Sequence, residues 1–220
     1  MAVRVDLNIS LDGFATTTDQ TPEHPMGEDW SRLVAAYVAT RTFRARVLHD
    51  TTGAGTTGVD DEYAQAYFAQ VGAEIMGAAM FGLHAHPDDA DWRGWWGDEP
   101  PFHVPVFVLT HAPRPSLDMN GGTTFHFLTA TPAEVLDRAL EVAGGLDVRV
   151  GGGPTVVRDF LQAGLVDQLH VAITPILLGG GIRLWDGLRG LESGYEVSVE
   201  AAQGGTTHLT FRRPVLPYQS

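Results

Sequence analysis

The stretch that most constrains this chain is residues 148–181, VRVGGGPTVVRDFLQAGLVDQLHVAITPILLGGG. Val148 and Val150 are strand-forming and stop abruptly at Gly151, Gly152 and Gly153. Pro154 then takes a first helical position, where a missing N–H costs nothing. Val156, Val157, Phe160, Leu161 and Leu165 recur at helical spacing, with Arg158, Asp159 and Gln162 on the opposite face. Gly164 is placed to end that helix, and alternation over residues 169–173, up to Pro175, predicts a second strand. The result is a βαβ unit whose helix begins without side chains over its free N–H groups. Such an end attracts an anion through those donors and the helix dipole, and glycine lets a phosphate come close. A tight turn with no ligand satisfies the same pattern, because neither GxGxxG nor P-loop spacing is present.

The rest of the chain has the same alternating character. Val3, Val5, Leu7, Ile9 and Leu11 interleave with Arg4, Asp6, Asn8 and Ser10, the period of a strand with one apolar face, and Asp12-Gly13 marks a turn. The polar segment up to Gly27, with Pro22 and Pro25, reads as loop. Trp30, Leu33, Val34, Tyr37, Val38 and Arg41 predict one helix capped by Asp29. Residues 49–60 form a Gly/Thr-rich loop, readable as plain surface or as a lid. Asp60 or Asp61 can cap a second helix that turns Tyr63, Ala64, Tyr67, Phe68 and Val71 inward. A short strand at residues 73–76 ends at Gly77, a loop over residues 83–101 carries Trp92, Trp95 and Trp96, and further strands are predicted at 104–109 and 125–128. Thr131-Pro132-Ala133-Glu134 has capping-box spacing with proline at N1, and Val135, Leu136, Ala139 and Leu140 form that helix's buried face. Residues 196–201 and 208–212, separated by Gly204-Gly205, predict a terminal hairpin. The expected fold is three-layer α/β/α, a mixed, mostly parallel sheet closed by an antiparallel C-terminal hairpin, in a single domain over residues 1–220.

Composition removes several classes of function. There is no cysteine, hence no disulfide, thiolate metal site or cysteine nucleophile. Fourteen basic against 27 acidic side chains give a net charge of −13, which argues against nucleic acid or an anionic membrane as partner. No apolar run approaches the roughly 20 residues of a membrane span, so a soluble cytoplasmic protein is expected. His84-Ala85-His86 invites a metal, but the sequence indicates no third ligand.

In an open α/β sheet, ligands bind beyond the carboxyl ends of the strands. Four such ends here carry small or polar residues: 10–13 (SLDG), 77–79 (GAA), 109–111 (LTH) and 151–153 (GGG). They suit a long ligand held by backbone groups, a dinucleotide more than a metal or a small acid. With VGAEIMG at 71–77, PVFVLTH at 105–111, GGGPT, AGLVDQLH and TPILLGGG within 148–181, and HLTF at 208–211, the chain resembles the dihydrofolate-reductase-like superfamily. Within it, the resemblance is to stand-alone relatives of the reductase domain of the bifunctional riboflavin-biosynthesis deaminase–reductase.

That resemblance implies an NADPH-binding reductase that passes hydride to a pteridine- or pyrimidine-like heterocycle, working as a homodimer. It puts Gly151, Gly152, Gly153, Pro154, Thr155 and Val156 at the cofactor's phosphates, with a cis peptide between Gly152 and Gly153. Gly77, Ala78, Ala79 and Met80 become a second phosphate loop, and Leu109, Thr110 and His111 line the adenosine. Asp12 and Gly13 fall near the nicotinamide. Asp12 and Asp61 are the candidate catalytic acids, Asp61 also being readable as a helix cap. Three positions depart from the family pattern. Ala78 replaces an arginine that pairs with the 2′-phosphate, which admits NADH; Arg114 or His111 are candidate substitutes. Gly151 replaces a glutamate and Phe14 a lysine, both on the substrate side.

Overall fold

The computed structural model describes residues 1–21 and 26–214; the loop reading at Pro22 and Pro25 lies outside the described residues. The chain opens with β1 (Val3–Ser10) and β2 (Phe14–Thr16), followed by helices α1 (Trp30–Leu33), α2 (Ala35–Val38), α3 (Arg41–Val47) and α4 (Val59–Phe68). β3 (Val71–Gly77), α5 (Ala78–Phe81), β4 (Pro105–Leu109), β5 (Leu117–Asp118), β6 (Thr124–Leu128) and α6 (Pro132–Val142) form the middle. β7 (Asp147–Gly152), α7 (Pro154–Gln162), β8 (Gln168–Thr174), β9 (Ile182–Arg183), β10 (Glu196–Ala201) and β11 (Thr207–Arg212) complete it. Nine strands form one sheet in the order β10-β11-β8-β1-β7-β3-β4-β6-β5. Its centre is parallel, while β10, β11 and β5 run antiparallel to their neighbours. The mixed sheet with a closing hairpin is the expected fold.

One face is apolar for a reason visible in the sequence. Val3, Val5, Val148, Val150, Leu169 and Val171 project at period two onto Val135, Leu136 and Ala139 of α6 and Val157, Phe160 and Leu161 of α7. Val157 and Phe160 are fully buried, and each such side chain contributes roughly 1.5–3 kcal/mol by leaving water. The Thr131 hydroxyl accepts from Glu134 N, and Glu134 reaches back to Thr131 N at 2.8 Å, so the capping box is formed.

The opposite face of β1 is polar yet also buried, because α4 covers it. Arg4 is 8% exposed and forms an ion pair with Asp147 at 3.3 Å. Arg149 pairs with Glu74, donates to Tyr67 O at 2.6 Å, and lies 3.7 Å over the Tyr67 ring. Burial pushes the Glu74 carboxyl above its ordinary range, against the pull of Arg149. Burial also works against charge on Arg149, but Glu74, Tyr67 and Asp6 outweigh it and hold the guanidinium above its ordinary value. The two shifts point opposite ways, one toward a neutral acid and one toward a cation. The pair is ionic, since a guanidinium keeps its proton and a neutral Glu74 would leave it without a counter-charge.

The single helix expected at residues 30–41 is instead three short ones. Val34 leaves helical geometry, and Thr40 is extended, bridged to Thr56, with its hydroxyl capping α3 by accepting from Phe43 N. Asp29 makes no side-chain cap and pairs with Arg32. α4 likewise starts at Val59 with Gly58 as N-cap, leaving Asp60 and Asp61 inside its first turn.

Candidate functional site

β1 stays paired with β8 along its length, from Arg4↔Gln168 to Ser10↔Thr174, but with β7 only where Val3–Val5 meet Val148–Val150. Where that pairing stops, a cavity of about 1590 Å³ lies at the C-terminal ends of the strands, with Leu7 and Gly152 in its lining. That volume exceeds the roughly 300–1,000 Å³ of a drug-sized site, as an extended ligand requires.

Three chain segments wall it. Gly77, Ala78, Ala79 and Met80 come from the β3–α5 junction, Leu109, Thr110 and His111 from the end of β4, and residues 151–156 from the β7–α7 turn. Gly152 has φ +133, which a side chain would strain, and the Gly152-Gly153 peptide is cis. A Cβ on Gly77 would stand 2.9 Å from Val156 Cγ2, so only glycine lets β3 and α7 approach this closely. Gly153 caps α7 without a side chain, no acid lies in the first turn, and Val157 N makes the first bond back to Gly153 O at 3.1 Å. The N–H groups of Thr155 and Val156 precede that bond and remain as donors at the cavity wall. These residues fit a dinucleotide phosphate: backbone donors, a helix dipole, and no side chain in the way.

The tryptophan loop forms a further wall. Trp92 Nε1 donates to Phe81 O at 2.9 Å and Trp95 Nε1 to Met80 O at 3.1 Å, tying the loop to α5. His86 stacks on Trp92 with 3.8 Å between ring centroids, and among the described residues no cluster of metal-ligating side chains forms. Arg114 lines the cavity, but its guanidinium lies 4.4 Å over Phe127 and donates to Trp92 O. It braces the loop, so it is not a free substitute for the arginine missing at Ala78. His111 lines the cavity with an exposed side chain. The Gly/Thr-rich loop does not border the cavity; Thr56 bridges to Thr40, and Asp50 pairs with Arg44, which ties it to α3.

Neither candidate acid is among the lining residues. Asp12 receives the Ser10 hydroxyl at 2.5 Å, Gly179 N at 2.8 Å and Leu178 N at 3.1 Å. Burial opposes its charge, but those three donors outweigh burial and hold its pKa at about 2, the reverse of the raised value a proton donor needs. Asp12 fastens the 10–13 turn to residues 178–179, and Gly13 (φ +86) sits in that turn against Trp185 rather than on the cavity. Asp61 is 4% exposed and accepts from Thr42 N at 2.8 Å and Gln65 Nε2 at 3.0 Å. Burial opposes its ionisation, yet those hydrogen bonds keep it below its ordinary value. It joins α4 to α3, a structural role, but not the capping of its own helix that competed with catalysis in the sequence. Leu7, Thr16 and Trp30 line the cavity and were not singled out from the sequence; Leu7 and Trp30 sit in apolar patterns indistinguishable from core positions.

Fold and site together define a dihydrofolate-reductase-like α/β protein with a dinucleotide-sized cleft. The chain belongs to the RibD C-terminal domain family, whose profile matches residues 1–203. Similar solved structures include a candidate riboflavin biosynthesis protein of Shewanella sp. PV-4, 21% identical, covering 97% of this chain and 99% of that one, TM-score 0.60. A diaminohydroxyphosphoribosylaminopyrimidine deaminase/5-amino-6-(5-phosphoribosylamino)uracil reductase of Thermotoga maritima is 15% identical with TM-score 0.56, over 97% of this chain and 56% of that longer one. The dihydrofolate reductase of Enterococcus faecalis, solved with NADP(H), is 11% identical with TM-score 0.50, over 96% of each chain. No curated protein sequence matches the chain. Among the described residues, no helix is long and apolar enough to cross a membrane.

Proposed function

We propose that this protein is a nicotinamide-dependent reductase acting on a pteridine- or pyrimidine-like heterocycle. The observation that carries the reading is the convergence of three backbone-rich segments, at Gly77, Leu109 and Gly151, on one cavity beside the β1–β7 gap. When bound, the cofactor supplies the hydride. The chain's part is to hold and orient: Thr155 and Val156 N–H donate to phosphate, Leu109 to His111 border the adenosine, and Leu7 and Met80 flank the glycine turn. Proton donation by Asp12 at neutral pH is not part of the proposal, because its carboxyl stays ionised down to about pH 2.

NADPH is the cofactor the family resemblance implies. NADH is accepted as well, since Ala78 offers a methyl group where an arginine would pair with the 2′-phosphate and Arg114 is engaged elsewhere. A homodimer belongs to the same proposal, and sizing chromatography tests it. The first experiment is titration with NADPH and NADH, followed by nicotinamide fluorescence; no binding of either at millimolar concentration refutes the cofactor claim. The rival is a nucleotide-binding protein without turnover, which Asp12 and Asp61, both tied down, keep in play. Binding without oxidation across pterins, folates and riboflavin precursors would select that rival.

A further inference from the structure

Away from the cavity, α4 covers a chain of four titratable side chains from four elements, two buried histidines between two half-buried aspartates. Asp60 of α4 meets His208 Nε2 of β11 at 2.9 Å, His208 Nδ1 meets His170 Nε2 of β8 at 2.9 Å, and His170 Nδ1 meets Asp6 of β1 at 3.1 Å. His170 is 6% exposed and His208 3%. Tyr63 lies across both imidazoles, 4.2 Å from each, at 14° and 3° to their planes, and seals them from water.

The protons along these four side chains can be counted. Three contacts at hydrogen-bond distance need three protons, and ionised carboxylates supply none. Two neutral imidazoles carry only two ring protons. If His170 gives its proton to Asp6, His208 can serve Asp60 or His170 but not both, and the remaining contact sets two lone pairs face to face in a dry site. One further proton turns all three contacts into hydrogen bonds. We propose that the folded protein holds one extra proton on the His170–His208 pair, clamped between Asp6 and Asp60, and takes it up on folding.

The surrounding charge agrees. Asp6, Asp60 and, from β10, Glu200 act on the pair from the acidic side, and the Tyr63 ring face suits a shared cation. The cations near Asp6 are Arg4 of β1, which pairs with Asp147 at 3.3 Å and with Asp6 itself at 3.8 Å, and Arg149 of β7, which pairs with Glu74. Thr210 of β11 meets the Tyr63 hydroxyl at 3.2 Å and brings no charge. Burial opposes the charge on Asp6 but the His170 bond and the two arginines outweigh it, so Asp6 stays ionised. Burial holds His208 below the ordinary imidazole value, against Asp60, and the like charge of a protonated His170 adds to that. The pair therefore takes one proton and resists a second.

An unfolded histidine releases its proton at about pH 6.5, whereas the folded pair holds its proton to higher pH. The stabilisation from that one proton is greatest near about pH 6.5 and is lost as pH rises to where the pair lets go, while below about pH 6.5 the second imidazole, which the folded pair keeps neutral, works against it. In that window the folding constant falls tenfold per pH unit. Long-range ¹H–¹⁵N spectra of the full chain at about pH 7.5 are expected to show three ring N–H protons on His170 and His208 together, against two for a pair of neutral imidazoles. Asp60→Asn supplies the missing donor from its amide, so two neutral rings then satisfy all three contacts. That variant is expected to fold and to lose the tenfold-per-unit slope in urea denaturation. Two ring protons in the native protein, or an unchanged slope in D60N, overturns the proposal.

Discussion

Replacing Arg149 by methionine tests whether the polar face under α4 is held by charge pairing. The substitution Arg149→Met keeps most of the side chain's length and removes the guanidinium from a residue that is 2% exposed and bonded to both Glu74 and Tyr67 O. Glu74, fully buried, would then be a carboxylate without a counter-charge. Removing one partner of a buried pair costs about 3–5 kcal/mol. The alternative open to the variant is to protonate Glu74. From an ordinary value of about 4.3, that costs about 4 kcal/mol at about pH 7.5 and about 1.6 kcal/mol at about pH 5.5. The cheaper route wins at each pH, so the destabilisation shrinks by about half or more between the two. The sign follows from linkage: the folded Glu74 value in the variant lies above the unfolded one, so stability is present below about pH 4.3 and lost as pH rises through the folded value. Urea denaturation followed by circular dichroism at the two pH values measures it. Adding Glu74→Met should recover most of the loss, leaving about 1 kcal/mol for the unsatisfied Tyr67 carbonyl. A double variant no more stable than the single one, or a loss independent of pH, would refute the reasoning.

Two further expectations concern the cavity. Gly77→Val drives a side chain into Val156, 2.9 Å from the nearest possible Cβ, and displaces the first turn of α7. Binding of nicotinamide cofactor should weaken at least about tenfold, from a cost of about 1.4 kcal/mol or more, in a protein that still unfolds cooperatively; an unchanged Kd would show that this wall carries no ligand. Ala78→Arg restores a cation at the start of α5, and a charged hydrogen bond of about 1.5–3 kcal/mol should raise the NADPH-over-NADH affinity ratio about 10- to 150-fold. No change in that ratio would place the 2′-hydroxyl end elsewhere.

Local chemistry made much of the scaffold readable. The capping box at Thr131, the α7 stripe around Phe160 and the period-two valines of β1 and β7 each rest on neighbours within a few residues, and each forms as expected. The helix expected at residues 30–41 shows the opposite case. Its apolar spacing was real, but Thr40 gives its backbone to a bridge with Thr56, a competitor that periodicity does not contain. β2 and β5, with three and two residues, were too short to register as a pattern.

At the site the division is sharper. The glycine turn, the helix behind it and the order of the strand ends are written in consecutive residues, because backbone freedom and helix termini are local properties. What the acids do is settled by packing between distant segments. Asp12 and Asp61 look alike on paper, yet one is saturated by donors from residues 178–179, 166 positions and more away, and the other by Thr42 on a different helix. The same holds for β1, whose polar positions signalled one apolar face but not that the other face would be buried too. Asp6 meets His170 because β1 and β8 pair them in register, α4 shields the contact with Tyr63, and a carboxylate's protonation is set by the donors that packing brings within about 3 Å.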